Sequence, residues 1–284
     1  MSHSDRFLLA GVIGWPVMHS RSPLLHNYWF RKLGLAGTYV PLAIRPEDLA
    51  AALRALQPLG FAGCNLTIPH KQEAMKIVDE VDAVGRSIGA ISCVVVRSDG
   101  SLAGSNNDCY GFMENLKQAQ PGWRADAGPI AVLGAGGGSR AVCYALAEAG
   151  AREIRLVNRT FARAKGIADE FGGPIEALPW ESRHDVLEGA AMVVNATSQG
   201  MVGQPALDIR LDKLPKNALA ADIIYIPLET PFLAAARSRG NRTINGLGML
   251  LHQGRPAWKA WFGIDVEVTP ELRALMEKSI LSDE

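Results

Sequence analysis

The run Ile130-Ala131-Val132-Leu133 passes directly into Gly134-Ala135-Gly136-Gly137-Gly138-Ser139-Arg140-Ala141, and a helical pattern continues through Leu146. A short apolar strand, a glycine-rich turn and a helix in immediate succession constrain this chain more than any other segment. In a G-x-G-x-x-G/A turn the first glycine permits the tight bend and the second lets the backbone approach a pyrophosphate. A small third residue lets the helix pack close on the strand. Here those places hold Gly134, Gly136 and Ser139, the last a departure from glycine or alanine. Free N–H groups at the helix start then face the phosphates. Gly134, Ala135, Gly136, Gly137 and Gly138 are therefore the candidate pyrophosphate cradle of a Rossmann-type dinucleotide-binding domain.

The next predicted strand, Ile154 to Val157, leads into Asn158-Arg159-Thr160. A site that prefers NAD places Asp or Glu there for the ribose 2′-hydroxyl. No acid is present, and Arg163 follows one turn later. Asn158, Arg159, Thr160 and Arg163 can instead take a 2′-phosphate through charge-assisted hydrogen bonds, so NADP is the expected cofactor.

Apolar strand-like runs alternate with helical patterns on both sides of this turn, which predicts an α/β fold with mainly parallel sheets. Strands are expected at Leu8–Ile13, Thr38–Ala43, Gly63–Leu66 and Ser92–Arg97, with helices at Leu24–Leu33, Pro46–Leu56 and Gln72–Val78. After Pro121-Gly122 a second cycle brings strands at Ile130–Leu133, Ile154–Val157, Met192–Asn195 and Leu219–Ile223. The chain turns helical again from Gly248, with Trp258 and Trp261 on one face for core packing.

A length of 284 residues suits two domains. Lys plus Arg equals Asp plus Glu at 29 each, which leaves no electrostatic footprint for nucleic acid or an anionic membrane. No apolar stretch approaches the ~18 residues of a membrane span, and the amino-terminal run reads as a first strand, not a signal peptide. Cys64, Cys93, Cys109 and Cys143 lack metal-ligand spacing and read as reduced thiols of a cytoplasmic protein. His19 and His26 read as structural hydrogen-bonding residues, and no metal is expected.

Several polar clusters fit neither a core nor ordinary turns. Gly14-Trp15-Pro16-Val17-Met18-His19-Ser20-Arg21-Ser22-Pro23, followed by His26-Asn27, resembles the G-x-P-x-x-H-S-x-S-P pattern of the shikimate dehydrogenase family. Asn65-Leu66-Thr67-Ile68-Pro69-His70-Lys71 is similar to its N-x-T-x-P-x-K, and Gly104-Ser105-Asn106-Asn107-Asp108-Cys109-Tyr110-Gly111 to its G-x-N-T-D-x-x-G. The glycine turn, the Asn158-Arg159-Thr160 segment with Arg163, Asn195 to Met201, Asp222 to Pro227, and Gly246 to Gln253 recur in the family's order. Motifs of modest specificity become specific when all occur in order between residues 8 and 255.

The resemblance implies a substrate-binding domain of residues 1–107, completed by C-terminal helices within 245–284, and an inserted NADP-binding domain of residues 108–244. It implies reversible hydride transfer between a ring carbinol of shikimate and NADP, giving 3-dehydroshikimate; the composition suits a monomer or a homodimer alike. Lys71 and Asp108 are the implied catalytic pair. Oxidising a secondary alcohol sheds the hydroxyl proton as hydride leaves, so a proton acceptor or relay must stand within hydrogen-bond reach. By themselves the two residues read more readily as a surface ion pair, and their placement in two matched motifs reverses that preference. Ser20, Ser22 and Tyr225 are implied to take the substrate carboxylate, Thr67, Asn106 and Gln253 to line the ring hydroxyls, and Ile223, Gly246 and Met249 to lie near the nicotinamide. By residue type Ile223 and Met249 equally suit a core, and the serines a cap before the helix at Leu24.

Two positions depart from the family. Where it carries Gly-Ala-x-Asn-Thr this chain has Gly89-Ala90-Ile91-Ser92-Cys93, and Asn107 stands where Thr is usual. Ser92 thus puts a shorter hydroxyl where an amide is implied to bond the substrate's ring hydroxyls. An unmade bond there costs about 1–3 kcal/mol, roughly ten- to a hundredfold in efficiency, in part recoverable through a bridging water. Two further expectations follow: a paralogue acting on quinate or another hydroxylated or amino-substituted ring acid, and a non-catalytic NADP-binding sensor. Retention of Lys71 and Asp108 counts against the sensor.

Overall fold

In a computed structural model that describes residues 7–282, the strand before Gly134 lies at the centre of a six-stranded sheet. Positions 1–6 and 283–284 of the expected domain spans lie outside the described residues. The chain divides into two compact units. One comprises the residues up to Asn107 with Gln253–Met276, the other Asp108–His252 with the residues from Glu277 onward.

The first unit holds β1 (Leu8–Gly14), β2 (Gly37–Ala43), β3 (Gly63–Leu66), β4 (Glu80–Val81), β5 (Cys93–Val96) and β6 (Leu102–Ser105), in the order β2-β1-β3-β5-β6-β4. β5 runs antiparallel to both its neighbours, and the other pairings are parallel. Strand alternation sorts the side chains. Ile13, Cys64, Leu66 and Val94 form a core with Leu49 and Leu53 of α2 (Leu49–Ala55). The opposite face meets α1 (Ser22–Lys32) and the C-terminal part of a long helix, Leu247–Phe262. There Trp258 Nε1 donates to His26 Nδ1 at 2.7 Å and Trp261 Nε1 to the Val94 carbonyl at 2.9 Å. Both tryptophans are core residues, as their helical spacing predicts.

The local differences from expectation have physical causes. The segment expected to be a helix over 72–78 forms only a 3-10 turn, Glu73–Lys76. It ends because Asp79 Oδ2 accepts from Leu102 N at 2.7 Å, turning the chain into β4 alongside β6. Pro46–Asp48 is a 3-10 turn ahead of α2, not its first turn. The helix expected from Leu24 begins at Ser22, with Arg21 at the N-cap, so neither serine is the N-cap. Instead Ser20 Oγ accepts from Ser22 N at 3.2 Å. The short α3 (Ala83–Ile88) persists because both ends are closed. Asp82 Oδ1 accepts from Gly85 N, and Gly89 adopts φ +69° at the C-terminus.

In the second unit, β7 (Ile130–Leu133), β8 (Ile154–Asn158), β9 (Ile175–Pro179), β10 (Met192–Asn195), β11 (Leu219–Asp222) and β12 (Arg242–Ile244) run in the order β12-β11-β10-β7-β8-β9, parallel throughout. The helices are α4 (Asp108–Ala119), α5 (Gly137–Glu148), α6 (Phe161–Phe171) and α7 (Pro231–Ser238), followed along the chain by α8 (Leu247–Phe262) and α9 (Pro270–Leu281). Ile130 and Val132 point into one core and Ala131 and Leu133 into the other. Burial on both faces is why β7 reads as an unbroken apolar run. Among the described residues no helix is long and apolar enough to cross a membrane, and no His, Cys, Asp and Glu cluster could hold a metal ion.

Candidate active site

The sheet order of the second unit reverses between β7 and β10, the place where doubly wound sheets bind ligands beyond their strand ends. The turn after β7 is built for close approach. Gly134 has φ +109°, and a Cβ there would stand 2.8 Å from the Ala196 carbonyl oxygen. The buried Ser139 donates its hydroxyl to the Gly134 carbonyl, so serine satisfies the small third position without leaving a polar atom unpaired. Gly136 is the N-cap of α5 with no side-chain cap and open space where a Cβ would lie, leaving the helix N–H groups unshielded. A Cβ on Gly138 would meet Ile223 Cδ1 at 2.9 Å, which puts Ile223 beside the cradle.

Asn158 ties this turn to the next. Its Oδ1 accepts from Ala135 N at 3.1 Å and its Nδ2 donates to the Thr160 carbonyl at 2.9 Å. The amide therefore shapes the cradle, and Arg159, Thr160 and Arg163 are exposed at the start of α6, as are Phe161 and Ala162 between them.

Asp222, at the end of β11, organises the following loop. Its Oδ1 accepts from Ile224 N at 3.0 Å, its Oδ2 from the Thr230 hydroxyl at 2.8 Å, and Asn195 Nδ2 donates to both oxygens. Burial pushes the carboxyl up to about 6, although these donors pull the other way. The half-buried Tyr225 stands on the loop so fixed. Gly246 N donates to the Ile224 carbonyl at 2.8 Å, and any Cβ at Gly246 would overlap the Ile223 carbonyl. Asn115 Nδ2 holds the Asn245 carbonyl at 2.8 Å, and Asn245 Nδ2 the Leu228 carbonyl at 3.1 Å. Met249 packs into the core and Ile223 against its edge.

In the first unit the order reverses between β1 and β3, so the loops after these strands diverge at one end of the sheet. Ser20 and Ser22 come from the first loop and the start of α1, Thr67 and Lys71 from the second. The loops are tied by Trp15 N to the Ile68 carbonyl at 3.1 Å and Thr67 N to the Ile13 carbonyl at 2.9 Å. Because β5 is antiparallel it starts at this same end, just after Ser92, and β6 finishes there, just before Asn106. The Lys71 carbonyl accepts from Ile91 N at 2.8 Å. Asn106 Nδ2 donates to the Ala90 carbonyl at 2.8 Å, and Asn107 N to Ser92 Oγ at 2.9 Å. Gln253 precedes Gly254, whose Cβ position lies 2.9 Å from Trp29 and 3.3 Å from His26 on α1. Asp108 follows Asn107 directly and opens α4 of the second unit.

Behind these residues runs a neutral polar chain that motif reading did not reveal. The Ser22 hydroxyl bonds the Tyr39 phenol, Tyr39 Oη donates to Asn65 Oδ1 at 2.8 Å, and Asn65 Nδ2 donates to the Ser92 carbonyl at 3.2 Å. Burial first, then the neighbouring Cys64 and Cys93, raises the Tyr39 phenol well above its usual range. His26 stacks on Tyr39 at 4.0 Å, and burial lowers it to about 3, so it is a neutral acceptor for Trp258. The only available signal was a tyrosine and an asparagine on same-face positions of the two strands that flank β1.

A doubly wound parallel sheet with a pyrophosphate turn in one unit, and polar residues gathered at the strand ends of an α/β sheet in the other, define a two-domain, dinucleotide-dependent oxidoreductase. Residues 12–94 match the family model for the shikimate dehydrogenase substrate binding domain, and residues 117–226 that for shikimate / quinate 5-dehydrogenase. A shikimate dehydrogenase (NADP(+)) of Paramagnetospirillum magneticum is 51% identical over 273 residues, covering 96% of this chain and 99% of that protein. The structure of shikimate 5-dehydrogenase from Thermus thermophilus in complex with NADP(H) and shikimate is 36% identical with a TM-score of 0.84, covering 97% of this chain and 99% of that one. Quinate dehydrogenase from Corynebacterium glutamicum in complex with NAD is 30% identical with a TM-score of 0.87, covering 98% and 100%. The chain belongs to the shikimate dehydrogenase family.

Proposed function

We propose that this protein is an NADP-dependent oxidoreductase that interconverts shikimate and 3-dehydroshikimate, with Lys71 and Asp108 as its catalytic pair. The observation that carries the reading is the gathering of Ser20, Ser22, Thr67, Lys71, Ser92 and Asn106 at one end of the first unit's sheet, from four separate chain segments. The Ser20 and Ser22 hydroxyls, with the Tyr225 phenol, hold the substrate carboxylate through neutral donors. Thr67, Asn106 and Gln253 orient the ring hydroxyls. Lys71 Nζ takes up the carbinol proton in oxidation and returns it to the carbonyl oxygen in reduction, with the Asp108 carboxylate orienting the same hydroxyl. Bound NADP supplies the hydride acceptor.

The glycine cradle fits that cofactor: Gly134 excludes a side chain, and Gly136 leaves the start of α5 open. Arg159, Thr160 and Arg163 take the 2′-phosphate, and Ile223, Gly246 and Met249 border the nicotinamide. The free thiols, three of the four buried, suit a reducing cytoplasm. The protein acts as a monomer or homodimer.

Ser92 favours a second reading, in which quinate or a related ring acid is the preferred substrate. Steady-state kinetics on shikimate and quinate, each with NADP and NAD, separates the two. Shikimate with NADP is expected to give the highest kcat/KM. A higher value for quinate selects the second reading, and tight NADP binding without turnover of either acid selects a sensor.

A further inference from the structure

Asn107 is buried, at 7% exposure, and its Nδ2 has no hydrogen-bond partner among the described residues. Buried amide donors are almost always paired, so this one calls for an explanation, and a functional role toward a bound polar group is among the commonest. The neighbouring side chains are already engaged. Ser92 Oγ accepts from Asn107 N, and Asn106 Nδ2 donates to the Ala90 carbonyl.

Strand register locates the free donor. Asn65 pairs with Cys93, and Cys93 with Ser105, so these side chains share one sheet face. Tyr39 lies on the same face, opposite Ala10, two residues before the Val12 that pairs with Asn65. The Asn107 amide reaches the Cys93 thiol, a weak acceptor that does not satisfy Nδ2. It therefore stands on the face that carries Tyr39 and Asn65, at the sheet end where Ser22, Thr67 and Lys71 meet.

We propose that Asn107 donates its amide hydrogen bond to a ring hydroxyl of the substrate, the task that the resemblance assigns to the position held here by Ser92. The two departures from the family pattern then form one unit. The short Ser92 side chain fixes the Asn107 backbone, and Asn107 carries the amide. This inference rests on the proposed function and names a specificity-determining residue for a cyclic polyol acid.

The test measures kcat and KM on shikimate and on analogues that each lack one ring hydroxyl. The proteins compared are the unaltered chain, Asn107→Ala, Asn107→Thr, and the double variant Ser92→Asn/Asn107→Thr. Either single variant is expected to lower kcat/KM for shikimate about ten- to a hundredfold, mainly through KM. One deoxy analogue should show no difference between the variants and the unaltered chain, and the double variant should recover most of the loss on shikimate. Asn107→Thr carries the test if Asn107→Ala fails to fold. An equal loss on every substrate, or no loss on any, overturns the inference while leaving the proposed function standing. Failure of the unaltered chain to turn over shikimate overturns the proposed function, and the inference with it.

Discussion

His26 ties the stability of the first unit to pH in a direction fixed by its hydrogen bond. The imidazole is 2% exposed, lies 7° from parallel with the Tyr39 ring, and accepts the Trp258 indole N–H at Nδ1. A proton on Nδ1 would abolish that bond, and burial lowers the pKa from 6.5 to about 3. The folded value is thus depressed below the unfolded one, and as pH falls the unfolded chain takes up the proton first. Stability is complete above pH 6.5 and drains away as pH drops, at about 1.4 kcal/mol per pH unit. That amounts to roughly 3 kcal/mol by pH 4 and about 4 kcal/mol by pH 3, a large part of a typical folding free energy. His26→Asn keeps an acceptor oxygen near Trp258 and removes the titration, at a pH-independent packing cost of about 2 kcal/mol. Urea unfolding followed by tryptophan fluorescence between pH 7.5 and 4 should show the unaltered protein's advantage over the variant shrinking by roughly 3 kcal/mol. Taking the difference cancels every other titrating group. A difference that stays constant across this range refutes the assignment of a neutral, buried His26.

Asp222 works in the opposite sense. Its folded pKa, raised to about 6 from 3.8, means that stability relative to Asp222→Asn is greatest below pH 3.8 and falls by about 3 kcal/mol as pH rises through 6; the same unfolding series checks it, and a flat difference contradicts it. Lys71→Ala should lower kcat by about 10²- to 10⁴-fold with NADP affinity retained, and near-normal turnover would remove Lys71 from the mechanism. Arg159→Ala should weaken NADP by about tenfold or more, the worth of one charge-assisted hydrogen bond, and leave NAD unaffected; equal weakening of both in titration calorimetry would show that Arg159 does not read the 2′-phosphate.

The sheet of the second unit was legible where strands are buried on both faces. Ile130 to Leu133, Ile154 to Val157 and Met192 to Asn195 are apolar runs with few alternatives, and they are observed within one residue of expectation. The edge strands β9 and β12 went unread because Ile175–Pro179 and Arg242–Ile244 are short and half-exposed, taking their strand form from a neighbour instead of their own pattern. The same holds for the two-residue β4. At the candidate site, the residues proposed to face a ligand take that assignment from their motifs. Tyr39, Asn195, Thr230 and Asn245 were not, because each acts on another side chain or on a loop brought near only by folding. Asn158 shows a role its motif did not suggest: beside the proposed phosphate contact, its amide ties Ala135 N to the Thr160 carbonyl.

The groups behind the first unit's site have one property in common: none carries charge near neutral pH. His26 is held neutral by burial, the Tyr39 phenol is held protonated, and Ser22, Asn65 and Ser92 complete an uncharged chain. Under the proposed function, hydroxyl donors meet the carboxylate of an anionic substrate, and Lys71 is assigned to its reacting oxygen. A guanidinium at the carboxylate would stabilise the ground state and the transition state alike, lowering KM without raising kcat. Neutral donors at the carboxylate leave the differential stabilisation to the end of the ring where charge changes during reaction. On this reasoning a new cation opposite the carboxylate, made by Ser20→Lys, should lower KM for shikimate or leave it unchanged while failing to raise kcat. A raised kcat would show that carboxylate binding is coupled to the chemical step.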